Sequence, residues 1–184
     1  MTVNAHKSSF CATETEYLGY ILSRDGIKPQ PKKVQAILAS TPPQNVKQLC
    51  RFLGMVWYRD IWARRSEILA PLTSLVGECG HTKVTRANNT KKKPWHWDVV
   101  HQQAFNTGKA TIARDVTLAY PDYSQGFDIY TDSSKFQLGA VITQNNRPLS
   151  FFSRKLSQTQ QKYRVTKQEL LVIVETMKEL KEMF

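Results

Sequence analysis

The feature that most constrains this chain is a change of apolar period near residue 116. Before it, apolar side chains recur every three or four residues, the spacing of amphipathic helices; after it they alternate, the spacing of half-buried strands. Such a chain is expected to be α+β, with a small helical segment followed by an antiparallel meander and a C-terminal helix. Residues 16–22 read as a short strand or buried turn, and Asp25-Gly26 as a hairpin tip. Pro29 and Pro31 open a basic helix with Val34, Ile37 and Leu38 on its apolar face, ended by Thr41-Pro42-Pro43. Asn45 and Gln48 form a capping-box signal. Behind it Val46, Leu49, Cys50, Leu53, Val56, Trp57 and Ile61 fall at helical spacing, with Lys47, Arg51 and Arg59 on the other side. A third helix over 66–76 turns Ile68, Leu69, Leu72 and Leu75 inward, and Pro71 restricts or bends it.

Residues 77–94 are polar, basic and aperiodic, and read as a mobile linker or loop. A helix over 98–114 follows, with Val100, Ala104, Ala110 and Ile112 as apolar positions. Gly108 interrupts it at a cost of about 1 kcal/mol against alanine. Strands are expected over 116–120, 127–132, 138–143 and 148–153, with Asn145-Asn146 as a turn. In the closing helix Leu170, Ile173, Val174, Met177, Leu180 and Phe184 fit one apolar stripe.

Charge points to the partner. The 184 residues carry 26 Lys+Arg against 15 Asp+Glu, a formal net of +11. Residues 1–97 hold 15 basic and 6 acidic side chains, net +9, and residues 98–184 hold 11 and 9, net +2. The excess suits a polyanion such as nucleic acid; a merely basic soluble protein is the alternative on charge alone. No run of about 18 apolar residues exists to span a membrane, and 1–7 lack the apolar core of a secretory signal. Three scattered cysteines (Cys11, Cys50, Cys79) fit a reducing intracellular setting, cytoplasmic or nuclear. Cys79 with His81 and His96 matches no standard zinc spacing, and a solvated loop is the better reading. Lys91-Lys92-Lys93 reads as solvated loop, phosphate clamp or localisation signal.

Two carboxylates stand where chemistry is possible. Asp132 ends an apolar strand; it either caps the turn at Ser134 or serves as a metal ligand at the strand end. Glu169 follows Thr166 by three residues, as in a capping box. On a helical wheel it also borders the apolar stripe, where a cation shared with Asp132 would satisfy it.

Tyr17 through Pro29, Pro31 through Ile37, Leu49 through Gly54, Ala70 through Leu75, Trp95-His-Trp97, Tyr130 through Ser134 and Tyr163 through Leu171, in this order, resemble the Pol polyprotein of gypsy-type long-terminal-repeat retrotransposons. Tyr17-Leu-Gly-Tyr-Ile-Leu22 through Pro29 is similar to the segment after the polymerase palm that holds the primer terminus. Pro31-Lys-Lys-Val-Gln-Ala-Ile37 and Leu49-Cys-Arg-Phe-Leu-Gly54 are similar to thumb helices, and Ala70-Pro-Leu-Thr-Ser-Leu75 to their end. Trp95-His-Trp97, Ala104-Phe105, Tyr130-Thr-Asp-Ser-Ser134, Leu138 through Gln144, Pro148 through Leu156 and Tyr163 through Leu171 resemble the tethered RNase H-like domain. The resemblance implies palm end and thumb-like helices over 1–76, a basic linker over 77–94, and the N-terminal part of an RNase H-like domain over 95–184.

It further implies that Asp132 and Glu169 are the first two of four carboxylates. In the family these hold two divalent ions, magnesium or manganese, that hydrolyse the RNA of an RNA–DNA hybrid. The other two would lie past Phe184, and no paired aspartates of a polymerase site occur. The expected function is therefore that of a reverse transcriptase/RNase H fragment, catalytically incomplete by itself, that binds an RNA–DNA hybrid or other nucleic acid. Contacts are expected through Lys28, Lys32, Lys33, Lys47 and Arg51, with Tyr17 and Gly19 in the primer-holding segment. The alternatives are residual or partner-completed ribonuclease activity, and a non-catalytic assembly role with the remaining Pol segments. Two departures accompany the resemblance: the family helix is one residue longer around Trp57, and a core Leu stands where this chain has Gly108.

Overall fold

In the computed structural model, residues 10–56, 58, 61–79, 93–114 and 116–181 are described. Expectations at Trp57, Arg59, His81, Lys91, Lys92, Phe184 and the first seven residues lie outside them. The chain opens with a three-stranded antiparallel sheet: β1 (Glu14–Tyr17), β2 (Tyr20–Ser23) and β3 (Gly26–Pro29). Where a short strand or buried turn is expected over 16–22, two strands are joined by a two-residue turn. Leu18 (φ 48°) and Gly19 (φ 91°) are both left-handed, as a tight hairpin of this twist requires. Leu18 lacks the usual glycine or asparagine signal, so the turn is hard to see in the sequence.

Helix α1 (Pro31–Ala39) starts on Pro31, whose missing N–H is no loss in a first turn. It buries Ile37 and leaves Leu38 exposed. Helix α2 (Val46–Met55) is capped by Asn45, whose side chain accepts from the Gln48 amide at 2.9 Å. The reciprocal bond of the box lands one residue early, on the Gln44 amide at 2.7 Å. The helix buries Leu49 and Phe52, leaves Cys50 exposed, and stops before Ile61, which is buried beyond it. The expected third helix is two: α3 (Arg65–Ile68) and α4 (Ala70–Cys79), parted at Leu69 just ahead of Pro71. Pro71 has no N–H to donate four residues back, so the helical ladder is interrupted at this point.

Helix α5 (Val99–Ile112) is capped by Asp98, with His101 closing the box through its ring nitrogen at 3.1 Å. It buries Ala104, Phe105, Gly108 and Ile112 and leaves Val100 and Ala110 outside. Its apolar side joins the cluster built by Ile37, Leu49, Phe52, Val56, Trp62, Leu69, Leu72 and Leu75. The first half and α5 therefore share one core across the basic stretch. At Gly108 a Cβ would stand 3.4 Å from Leu69 Cδ2 and 3.9 Å from the Trp62 ring. Leu69 and Trp62 fill the volume a leucine there would need.

Residues 116–120 form no strand of their own. Leu118 exchanges both backbone hydrogen bonds with Ile27 of β3 (2.8 and 2.9 Å), and the Ala119 amide donates to Pro148 at 2.8 Å. This extended segment is thus shared between the edges of two sheets. It also explains Gly26: at φ 141°, a Cβ there would lie 2.1 Å from the Leu118 carbonyl oxygen. The second sheet is the expected meander, β4 (Asp128–Ser133), β5 (Gln137–Gln144) and β6 (Arg147–Lys155), with β4 and β6 at its edges.

Helix α6 (Val165–Glu179) rests on β4 and β5, but not through the stripe that the sequence suggests. Gln168, Val172, Thr176 and Leu180 are buried, whereas Leu170 (60% exposed), Ile173 (48%), Val174 (47%) and Met177 (45%) face outward. Two polar side chains of the helix have partners toward the sheet, whereas the Thr176 hydroxyl is buried without one. Glu175 pairs with Arg154 of β6, and the Gln168 amide donates to the Gln160 carbonyl at 3.3 Å.

Candidate nucleic-acid interface and carboxylates

The β1–β2 turn and helices α1 and α2 enclose a groove of about 530 Å³. Leu18, Tyr20, Lys33, Ala36, Ile37, Gly54, Met55 and Tyr58 line it. The Gly19 carbonyl accepts from the Gln30 amide at 3.0 Å and from the Tyr58 hydroxyl at 3.3 Å. Tyr58 also meets Tyr20 edge-on, centroids 5.3 Å apart, and burial pushes its phenol pKa upward. These contacts pin the turn over α1. A Cβ on Gly19 would fall 2.3 Å from Lys33 Nζ, so the bare turn lets the ammonium lie across it.

Of the cations expected to meet a phosphate backbone, the fold brings Lys33 to Gly19 and sets Lys32 beside it on α1. Lys47 and Arg51 lie one turn apart on exposed α2, on a line that continues to Gly54 at the groove wall. Lys28 instead points to Glu14 on β1, 3.7 Å away. Tyr17 is exposed at the end of β1, across from Tyr20. Tyr58, Leu18, Gly54 and Met55 were not singled out by the sequence reading. Gly54 has no atom within 4 Å of where its Cβ would stand, a gap that only the assembled groove reveals. Lys93, from the three-lysine run, is bound to Glu78 at 2.8 Å. That bond holds the Glu78 carboxyl below its ordinary pKa and the Lys93 ammonium above.

Asp132 is exposed on β4 and pairs across to Gly139, which pairs to Ser153. Cross-strand partners share a face, and the Ser153 hydroxyl accepts the Ser66 amide at 2.9 Å. Asp132 therefore belongs to the face covered by α3. There it borders a pocket of about 200 Å³ with Arg64, Tyr130, Gln137 and Phe151. Ser134 makes its turn without Asp132: its hydroxyl takes the amides of Phe136 and Gln137 at 3.3 and 3.2 Å. The neighbouring residues Leu138, Ala140 and Phe152 point to the other face, where they pack with Val172 of α6. Glu169 is exposed on that helix. Thr166 forms no cap for it, because the helix begins at Val165 with Arg164 as its cap residue. Asp132 thus lies on the sheet face opposite the one on which α6, the helix carrying Glu169, packs. Among the described residues no three or more His, Cys, Asp or Glu side chains converge as a metal-binding group. The donors present do not fit a two-ion centre.

Residues 97–184 match the RNase H-like domain found in reverse transcriptase. Over 98% of its length the chain is 36% identical to the retrovirus-related Pol polyprotein from transposon opus of Drosophila melanogaster. The chain belongs to the gypsy-type retrotransposon Pol polyproteins. It is likewise 36% identical to the Pol polyprotein from transposon gypsy of the same fly, over 95% of the chain. This Pol chain spans 18% of the opus polyprotein and 17% of the gypsy one. Its fold is similar to the foamy viral protease-reverse transcriptase solved with an RNA/DNA hybrid: TM-score 0.78 at 18% identity, over 95% of this chain and 23% of that one. The same viral protein solved with double-stranded DNA also scores 0.78, over 97% of this chain and 36% of that one. Among the described residues, no helix of this Pol chain is long and apolar enough to cross a membrane.

Proposed function

We propose that this Pol chain binds the sugar-phosphate backbone of a nucleic-acid duplex, an RNA–DNA hybrid foremost, in the groove between the β1–β2 turn and helices α1 and α2. The observation that carries the reading is Lys33, whose ammonium lies across the bare Gly19 turn inside a groove with an open Gly54 wall. Lys32, Lys47 and Arg51 extend the positive rim, and Tyr17 and Leu18 supply exposed apolar surface at the turn. Solved complexes of the similar foamy viral protein hold an RNA/DNA hybrid or double-stranded DNA, which supports the same ligand class here. Ribonuclease chemistry is not part of this proposal: Asp132 lies on the sheet face opposite α6, which carries Glu169, and among the described residues no three His, Cys, Asp or Glu side chains converge.

Fluorescence anisotropy with a labelled hybrid across a salt series tests the reading. Each phosphate contact contributes about 0.9 to the slope of log K against log salt. Lys33→Ala should weaken binding and lower that slope by about 1. Gly54→Val should weaken binding by filling the groove, with little change of slope. Wild-type affinity and slope in both variants would refute the site.

A further inference from the structure

We infer that residues 116–120 and Arg147, in the RNase H-like half, buttress the β1–β3 sheet and so hold the Gly19 turn in position for the nucleic acid. The inference rests on the proposed binding groove. It gives a part in binding to a half of the chain that supplies none of the groove's cations. Arg147 does not line the groove, so its part is that of a positioning residue.

The first sheet has little core of its own. All of β1 is exposed, β2 is half-buried, and in β3 only Gly26 and Pro29 are buried. Tyr20 and Ile27 pack at the margin of the main cluster. Three strands need a hydrophobic face or a packed helix to stand alone, so the position of this sheet depends on what grips its two ends. At one end the Gly19 carbonyl accepts from the Gln30 amide and the Tyr58 hydroxyl. At the other, the Asp25-Gly26 tip meets the second half of the chain. Ile27 exchanges both backbone bonds with Leu118, the Arg147 guanidinium donates to the Asp25 carbonyl, and the Tyr120 hydroxyl reaches the Gly26 carbonyl at 3.5 Å.

The grip at the tip has a firm footing. Leu118 belongs to the cluster of Ile37, Phe52 and Phe105, whereas its neighbour Ala119 packs with Ile142, Leu149 and Leu180. Successive side chains of an extended segment point opposite ways, so this one is pinned on both sides. The Ala119 amide is bonded to Pro148, next to Arg147 in the chain. Strand β2 joins the tip to the Gly19 turn, a span of roughly 10 Å at about 3.3 Å per residue. It is paired to β1 and β3 along its whole length, so it moves as one stiff piece. A shift of the tip therefore carries the Gly19 turn, and its place over Lys33, with it.

Hydrogen exchange of the full chain without nucleic acid, read by two-dimensional NMR, tests the buttress, and anisotropy with a labelled hybrid tests its effect on binding. Arg147→Met keeps the side chain's length but no donor. It should speed exchange of the Ile27 and Gln30 amides about tenfold, with Phe105 in α5 unchanged. Its hybrid affinity should fall about three- to tenfold through lost preorganisation, at an unchanged salt slope because no phosphate contact is removed. Arg147→Lys, which still donates, should restore both. Gly26→Ala, whose Cβ drives Leu118 away, should give the same pattern more strongly. Unchanged exchange at Gln30, or a rise shared by Phe105, overturns the buttress. A slope lowered by about 1 in Arg147→Met would make Arg147 a phosphate contact instead, and faster exchange at full affinity would sever the turn's position from binding; each overturns the inference. Failure of the groove itself reads differently: binding is then indifferent to Lys33→Ala and Gly54→Val, and exchange alone decides the buttress.

Discussion

Gly26→Ala tests how the two sheets are joined. The added Cβ would sit 2.1 Å from the Leu118 carbonyl oxygen, more than about 1 Å inside an ordinary C···O contact. The clashing atom is backbone, so no rotamer change relieves it. Residues around Leu118 must withdraw, breaking the Ile27–Leu118 pair of hydrogen bonds, each worth about 0.5–1.5 kcal/mol net. The φ of 141° at Gly26 lies where a side chain costs roughly a further 1–2 kcal/mol. The expected loss is about 2–5 kcal/mol. Urea unfolding followed by circular dichroism measures it as a lower midpoint at unchanged slope. Gly77→Ala is the control: nothing lies within 4 Å of its Cβ in α4, and helix propensity alone should stabilise by about 0.5–1 kcal/mol. A Gly26→Ala midpoint within about 0.5 kcal/mol of the parent would refute this account of the junction.

Two further outcomes follow from local geometry. At Gly108, alanine meets only ordinary contacts with Leu69 and Trp62 and should be neutral or up to about 1 kcal/mol stabilising. Leucine should cost about 1–3 kcal/mol by overpacking, and calorimetry ranks the three. Asp122 accepts from the Ser124 hydroxyl and amide and from Gln125, and these bonds lower its carboxyl pKa below the ordinary value. A depressed folded pKa contributes stability above the unfolded value, lost as pH falls through the folded one. Asp122→Asn should therefore be less stable than the parent at neutral pH, and the two should converge in acid. A constant difference across the pH range would contradict it.

Much of the architecture was legible locally. Asn45 caps a helix, Asp98 and Pro31 mark helix starts, and the alternation from Phe127 onward is a meander in the structure. The motifs from Tyr17 to Leu171 were enough to indicate the Pol family. The groove was legible in part: Lys33 and Gly19 stood out in the sequence, whereas Tyr58, which pins the turn by a bond spanning 39 residues, carried no local signal.

The sequence by itself determined the Asn45 cap, the Asp25-Gly26 and Asn145-Asn146 turns, the charge excess of the first half and the amphipathic character of each helix. Those depend on neighbours within a few residues. Tertiary structure alone decided which side of α6 is buried. Its most apolar row lies outward because Arg154 and the Gln160 carbonyl claim Glu175 and Gln168 from the other side. It likewise decided that Asp132 lies on the sheet face opposite α6, which carries Glu169, since strand pairing sets the face of Asp132 and tertiary packing sets the face that α6 covers. Periodicity identifies a helix with two distinguishable sides; only the distant partners of its polar residues decide which one turns inward.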